Sequence, residues 1–108
     1  MLDMDKLPDK PTLNDYQTLI KKLAIDRGFS KETVSDLFML FLEESGEFAK
    51  AARKKAGIKV DMTSYTSNLE EEAADVFWLL IDLCNRLDIN LENAFLAKEQ
   101  KNRKRTWQ

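Results

Sequence analysis

Residues 69–87, LEEEAADVFWLLIDLCNRL, are the clearest indication of this protein's fold. The apolar residues of this stretch recur every three or four positions, which is the spacing of one face of an α-helix. Asn68 precedes the stretch and Glu71 follows three residues later, a pattern typical of a helix start. The predicted core side consists of Val76, Phe77, Leu80, Leu83, Cys84 and Leu87.

Three other segments have the same helical spacing, and each begins at a residue that favours the N-cap position. The predicted caps and helices are Thr12 with Leu13 to Arg27, Ser30 with a helix that reaches Lys55, and Asn90 with a short last helix. Gly28 ends the first of them. Residues 1–11 contain both prolines and predict a flexible N-terminal arm, and residues 57–67 predict a functional loop. The sequence therefore predicts an all-α domain over residues 12–108, folded as a four-helix bundle.

Composition narrows the class of protein further. A chain of 108 residues that is 44% hydrophobic and 33% charged fits one helix-rich globular domain. Its single cysteine, Cys84, lies in an apolar run and predicts a buried, unreactive thiol in a reducing compartment. The polar N-terminus is unlike a signal peptide, and no apolar run approaches the ~18 residues of a membrane span. We expect a cytoplasmic protein.

Two carboxylate clusters interrupt this apolar pattern. Glu43, Glu44 and Glu47 lie on the second predicted helix, and Glu72 and Asp75 lie on the third. Positions three or four apart share a helix face, so each cluster can present its acids together. Acids on helices are usually solvated surface, and a buried salt bridge is another structural explanation. However, Glu44 and Glu72 occupy stripe positions where an apolar residue is expected, and a carboxylate there is costly unless it is paired or binds a metal.

The donor set indicates which metal these clusters could bind. With no histidine and one cysteine, the chain offers mainly hard carboxylate oxygens. Such ligands suit Mg²⁺ or Mn²⁺, which usually retain positions for water and substrate phosphates. No loop has the alternating ligand pattern of an EF-hand, which argues against a calcium cage. The clusters therefore predict a magnesium site for phosphate chemistry.

These residues resemble a known family, the all-α nucleoside triphosphate pyrophosphohydrolases of the MazG and dCTP pyrophosphatase type. The family's Glu-Glu-x-x-Glu, spacer and Glu-x-x-Asp pattern is matched by the two clusters with residues 48–71 between them. Lys98, Asn102 and Arg105 match its Lys-x-x-x-Asn-x-x-Arg segment. The resemblance covers roughly residues 12–105. It implies a helical bundle, assembled as a homodimer or homotetramer, that hydrolyses a nucleoside triphosphate to the monophosphate and pyrophosphate.

The resemblance also implies roles for individual residues. Mg²⁺ would be bound by Glu44, Glu47, Glu72 and Asp75, and Mn²⁺ is a possible substitute. Glu43 would be a fifth ligand or the activator of the attacking water. The phosphates or sugar would contact Lys98, Lys101, Asn102 and Arg105. Arg27-Gly28-Phe29 is similar to an Arg-x-Trp segment whose ring packs against the base, so Phe29 is the candidate for base recognition.

Several alternatives stay open at this stage. Phe29 could simply be a hydrophobic staple, and Tyr65 and Trp107 could either cover the site or pack elsewhere. The enzyme could act on phosphoribosyl-ATP instead of a nucleoside triphosphate, or the chain could be a non-catalytic helical interaction module. Nucleic acid is not an expected partner, because the chain has a net charge of −2 and no recognised binding motif. A membrane partner is not expected either.

Overall fold

Four α-helices make up the part of the chain that the computed structural model describes, residues 7–57 and 68–106. They are α1 (Leu13–Asp26), α2 (Val34–Lys55), α3 (Leu69–Arg86) and α4 (Leu91–Asn102), with a short 3₁₀ turn, Phe29–Lys31, between α1 and α2. The described residues contain no β-strand. The all-α prediction is confirmed.

The helix starts follow their predicted caps in three cases and differ in one. Thr12 caps α1, and Asn68 and Asn90 accept hydrogen bonds from the first turns of α3 and α4. The predicted cap Ser30 is wrong, because it lies inside the 3₁₀ turn. Thr33 caps α2 instead, in a capping box where its side chain and that of Asp36 each accept a backbone N–H.

Helix α3 is the central element, with α1 and α2 both packed against it. Leu37 of α2 is completely buried and forms a core cluster with Leu79 and Leu83 of α3. Leu80 and Leu87, which the sequence predicts to be buried, are instead exposed. Because α3 is apolar on several sides, periodicity alone does not fix which side each neighbouring helix covers.

Helix α4 contacts α1 and buries none of its own residues. A hydrogen-bond network from Gln17 fixes the junction between these helices. Its amide nitrogen donates to Asn85 and to the carbonyl of Ile89, both at 2.9 Å, and its oxygen accepts the Leu91 N–H at 3.0 Å. The start of α4 is therefore attached to α1 and to the end of α3.

The structure also bears on the predictions for Cys84 and for membrane-spanning segments. Cys84 is buried as expected, and burial raises the pKa of its thiol, which keeps it protonated and unreactive. None of the described helices is long and apolar enough to span a bilayer. Most of the predicted loop, together with Tyr65 and Trp107, lies outside the described residues, as do residues 1–6 of the predicted arm.

Candidate metal centre and adjoining cavity

Three carboxylates from two helices meet at the contact between α2 and α3. Glu44 of α2 and Glu72 and Asp75 of α3 each offer an oxygen, and these oxygens lie within 4.8 Å of one another. Glu72 is 6% exposed, Glu44 is half-buried and Asp75 is exposed. The cluster is thus closed toward the core and open toward solvent on one side.

The electrostatics of the cluster favour a cation. Burial raises the pKa of Glu44 to about 7, helped by the neighbouring carboxyl group of Glu72 and by the negative charges of Asp75 and Glu43. Among the described residues, Oε2 of Glu72 is one of the few buried side-chain oxygens without a hydrogen-bond partner. A buried oxygen of this kind costs free energy unless a cation or a proton satisfies it. A salt bridge does not explain why this oxygen is buried, because no basic side chain among the described residues donates a hydrogen bond to it.

The neighbouring acids on α2 and α3 are not part of this converging group. Glu47, one turn beyond Glu44 on α2, is half-buried and is not one of the three residues that converge. Glu43 is exposed and close enough for its charge to affect Glu44. Glu70 and Glu71 are exposed in the first turn of α3, where acids stabilise a helix through its dipole.

A cavity of about 250 Å³ adjoins the carboxylates. Its lining residues are Arg27, Phe29, Leu40, Glu44, Asp75, Trp78 and Leu79. Whole small-molecule ligands usually occupy pockets of about 300–1,000 Å³, so this cavity suits one planar ring of a ligand rather than an entire nucleotide. A ligand whose ring enters here would have its remaining groups beside Glu44 and Asp75 or in solvent.

Two aromatic rings form one wall of the cavity. The ring centroids of Phe29 and Trp78 are 5.4 Å apart, with their planes inclined at 59°. The Trp78 indole Nε1 is buried and has no hydrogen-bond partner among residues 7–57 and 68–106, so packing sets the orientation of that ring. The structure thus brings Phe29, the predicted base-recognition residue, to a cavity beside the acids.

The predicted phosphate-binding residues lie elsewhere in the chain. Lys98, Lys101 and Arg105 are exposed on α4 or just after it, and Asn102 is half-buried at its last residue. The Asn102 amide nitrogen donates to Glu99 at 2.9 Å, while its buried oxygen accepts no hydrogen bond from the part of the chain that the structure describes. None of these four residues lines the cavity within one chain.

Sequence reasoning missed several residues that shape this region. Arg27 and Leu40 line the cavity, and so does Leu79, which is also part of the buried core cluster. Asp82, which is 2% exposed, and Arg86 follow on the same side of α3. The spacing of positions 72, 75, 79, 82 and 86 alternates three and four residues, the period of a helix–helix contact face, and places Asp82 and Arg86 on the same side of α3 as Glu72 and Asp75.

This protein is a helical bundle with a carboxylate cluster between two helices and an apolar cavity beside it. These features are typical of helical proteins that bind divalent metals and phosphorylated ligands. The family model described as MazG nucleotide pyrophosphohydrolase domain matches residues 32–107. The chain therefore belongs to this family, and the resemblance that its acidic motifs indicated is confirmed. The match includes all three converging acids and begins after Phe29. A comparison with curated proteins gave no significant match.

Proposed function

We propose that this protein hydrolyses a nucleoside or deoxynucleoside triphosphate to the monophosphate and pyrophosphate, a reaction that would remove unwanted nucleotides from the cellular pool. The observation that supports this most directly is the position of the carboxylate cluster beside a ring-sized cavity. The membership in a family of nucleotide pyrophosphohydrolases gives the reaction class. The triphosphate substrate and the Mg²⁺ requirement are part of the proposal.

The residues present fit a hard divalent cation. Three carboxylate oxygens converge within 4.8 Å, and one buried oxygen of Glu72 lacks a donor. Glu44, Glu72 and Asp75 would bind Mg²⁺, or Mn²⁺ in its place, with Glu47 as a fourth ligand. Bound metal would supply charge neutralisation for the phosphates and a more acidic water.

The remaining side chains would bind and orient the substrate. Glu43 is exposed next to Glu44 and would position the attacking water and accept its proton, or join the metal ligands. Phe29 and Trp78 would contact the base in the cavity. Lys98, Lys101 and Arg105, with the Asn102 amide, would neutralise the phosphates or bind the sugar.

The products of a substrate panel test this reaction. The purified protein would be incubated with Mg²⁺ and each common ribo- and deoxyribonucleoside triphosphate, and with phosphoribosyl-ATP. We expect monophosphate and pyrophosphate in equal amounts, with loss of activity in a Glu72→Gln variant. Release of orthophosphate and a diphosphate would place the attack elsewhere and contradict the proposal. Cleavage of phosphoribosyl-ATP alone would replace the proposed substrate class.

We also propose that the protein is a homodimer or homotetramer. Large apolar side chains are exposed on α2 and α4, including Leu42 at 68%, Phe95 at 58% and Leu96 at 57%. Burying such side chains between copies would remove their apolar surface from water. Light scattering after size exclusion would measure the mass, and a monomer at micromolar concentration would contradict this part.

The separation of α4 from the cavity raises the question of which copy supplies the basic residues. Mixed oligomers of inactive Glu72→Gln and inactive Lys98→Ala chains would answer it. If Lys98 serves the site of a neighbouring copy, the mixture recovers activity, because one site then combines two intact halves. If each chain serves its own site, the mixture stays inactive.

A further inference from the structure

The guanidinium of Arg86 bridges the segment that carries Phe29. Arg86 is the last residue of α3, and its Nη2 donates to the carbonyl oxygen of Phe29 at 2.8 Å and to that of Glu32 at 2.6 Å. One side chain therefore connects the central helix to the start of the 3₁₀ turn and to the residue that follows it.

The 3₁₀ turn has little internal support. It follows Gly28, whose φ of 81° lies in the left-handed region, and it contains only three residues. The Glu32 N–H donates to Phe29 at 3.0 Å, and the Lys31 N–H donates to Gly28 at 3.4 Å. Short 3₁₀ segments have poor hydrogen-bond geometry and depend on contacts from outside. The two hydrogen bonds from Arg86 are such contacts.

A buried acid lies one turn before Arg86 on the same helix. Asp82 lies one turn earlier on α3 and is 2% exposed. Burial raises the pKa of Asp82, and the positive charge of Arg86 partly opposes this effect. The interaction between these two side chains is electrostatic, and the two hydrogen bonds to the turn set the position of the guanidinium.

The position of the turn determines the position of a cavity wall. Phe29 packs against Trp78, and both rings line the cavity that includes Glu44 and Asp75. Arg86 itself is not among the lining residues. We propose that Arg86 is a positioning residue for substrate binding, which holds the Phe29 ring against Trp78 so that a planar base can stack there. This inference rests on the proposed function.

The expected effect is on substrate affinity more than on turnover. Losing an ordered aromatic contact with a base typically weakens binding by about tenfold, because stacking needs a ring in a defined place. The carboxylate cluster lies on α2 and α3, outside the 3₁₀ turn, so we expect the metal ligands to keep their spacing. We expect Arg86→Met to raise KM about tenfold and to change kcat less than about threefold.

A double-mutant cycle distinguishes positioning from general destabilisation. The KM of the best triphosphate would be measured for wild type, Arg86→Met, Phe29→Ala and the double variant. If Arg86 acts through the Phe29 ring, Arg86→Met changes KM less than about twofold once the ring is absent. An equal increase in both backgrounds would overturn the proposal. Arg53→Met, at an exposed position in the last turn of α2, is the control and should leave KM unchanged.

A second measurement is independent of catalysis. Hydrogen exchange of the amides of residues 28–33 should be at least about tenfold faster in Arg86→Met, with the Mg²⁺-induced rise in Tm preserved. Unchanged exchange would overturn the positioning role even if activity falls. If no triphosphate is hydrolysed by wild type, the proposed function fails, while faster exchange still supports the restraint of the turn.

A conservative variant covers the case in which Arg86→Met does not fold. Arg86→Lys retains a positive charge one turn after Asp82, but its side chain is shorter and does not place a donor where Nη2 lies between the two carbonyl groups. We expect it to fold, with KM and exchange rates between those of wild type and Arg86→Met. Wild-type values for both quantities in Arg86→Lys would show that charge alone is needed, which contradicts the proposed bridge.

Discussion

Replacing Glu44 by glutamine should stabilise the metal-free protein while it destroys the metal site. Burial and the surrounding acids raise the pKa of Glu44 to about 7, against an ordinary value of 4.5. Between pH 4.5 and about 7, the Glu44 carboxyl group is therefore protonated more often in the folded state than in the unfolded state. The stability contributed by protonated Glu44 is complete below pH 4.5 and is lost as the pH rises to about 7.

The size of the effect follows from this pKa. For a fully enclosed group the difference would correspond to about 3 kcal/mol of unfolding free energy. Because Glu44 is half-exposed, solvent screening reduces the expected value to about 1 kcal/mol. Glutamine has no charge to bury, so Glu44→Gln should unfold about 5 °C higher than wild type at about pH 8 without metal, and equally at about pH 4.

Thermal unfolding followed by circular dichroism, with and without Mg²⁺, measures both parts of this prediction. Mg²⁺ should raise the Tm of wild type at about pH 8 and leave that of Glu44→Gln unchanged. Glu71→Gln is the matched control, because this exposed acid lies in the first turn of α3 outside the converging group. It should keep the Mg²⁺ response. A metal-free Glu44→Gln protein that is less stable than wild type at about pH 8 would refute the reasoning.

Three further outcomes are expected. Glu72→Gln should lower kcat at least about a hundredfold at saturating substrate with Mg²⁺ present, measured by pyrophosphate release, because the buried ligand is lost; activity within tenfold of wild type would contradict its role. Removing metal with a chelator should abolish hydrolysis, and added Mg²⁺ or Mn²⁺ should restore it, whereas activity that survives chelation would exclude the proposed metal requirement. Thr33→Ala should cost about 1 kcal/mol in urea unfolding, since it removes the capping box of α2, while Ser30→Ala should have little effect; equal losses in both variants would contradict the assigned cap.

Much of the helical organisation can be predicted from short-range chemistry. Thr12, Asn68 and Asn90 cap helices because their side-chain oxygens accept N–H groups of the next turn, which needs no tertiary contact. The start of α2 could not be predicted in this way. Ser30 and Thr33 are both good caps by residue type, and the intervening 3₁₀ turn selects Thr33.

The convergence of the carboxylates could also be predicted from helical periodicity, but the burial of Asp82 and the cavity could not. Glu44 and Glu72 interrupt apolar stripes, so their convergence follows from helix phase and from packing of α2 on α3. The helical spacing places Asp82 on the contact face of α3, but its residue type does not predict burial, because an isolated acid usually lies on the surface. One wall of the cavity is the contact between Phe29 and Trp78, which are far apart in the sequence. Local sequence patterns do not predict such a contact.

The Phe29–Lys31 turn and the carboxylates are carried by different kinds of structure. The acids lie on two long helices that pack on each other, while the turn is a short connection joined to α3 by a side chain. Substitutions or insertions in residues 28–33 can therefore reshape one wall of the cavity and leave the spacing of the acids intact. In an evolved or engineered variant of this protein, changes in that connection can alter selectivity while the residues that carry the reaction stay unchanged.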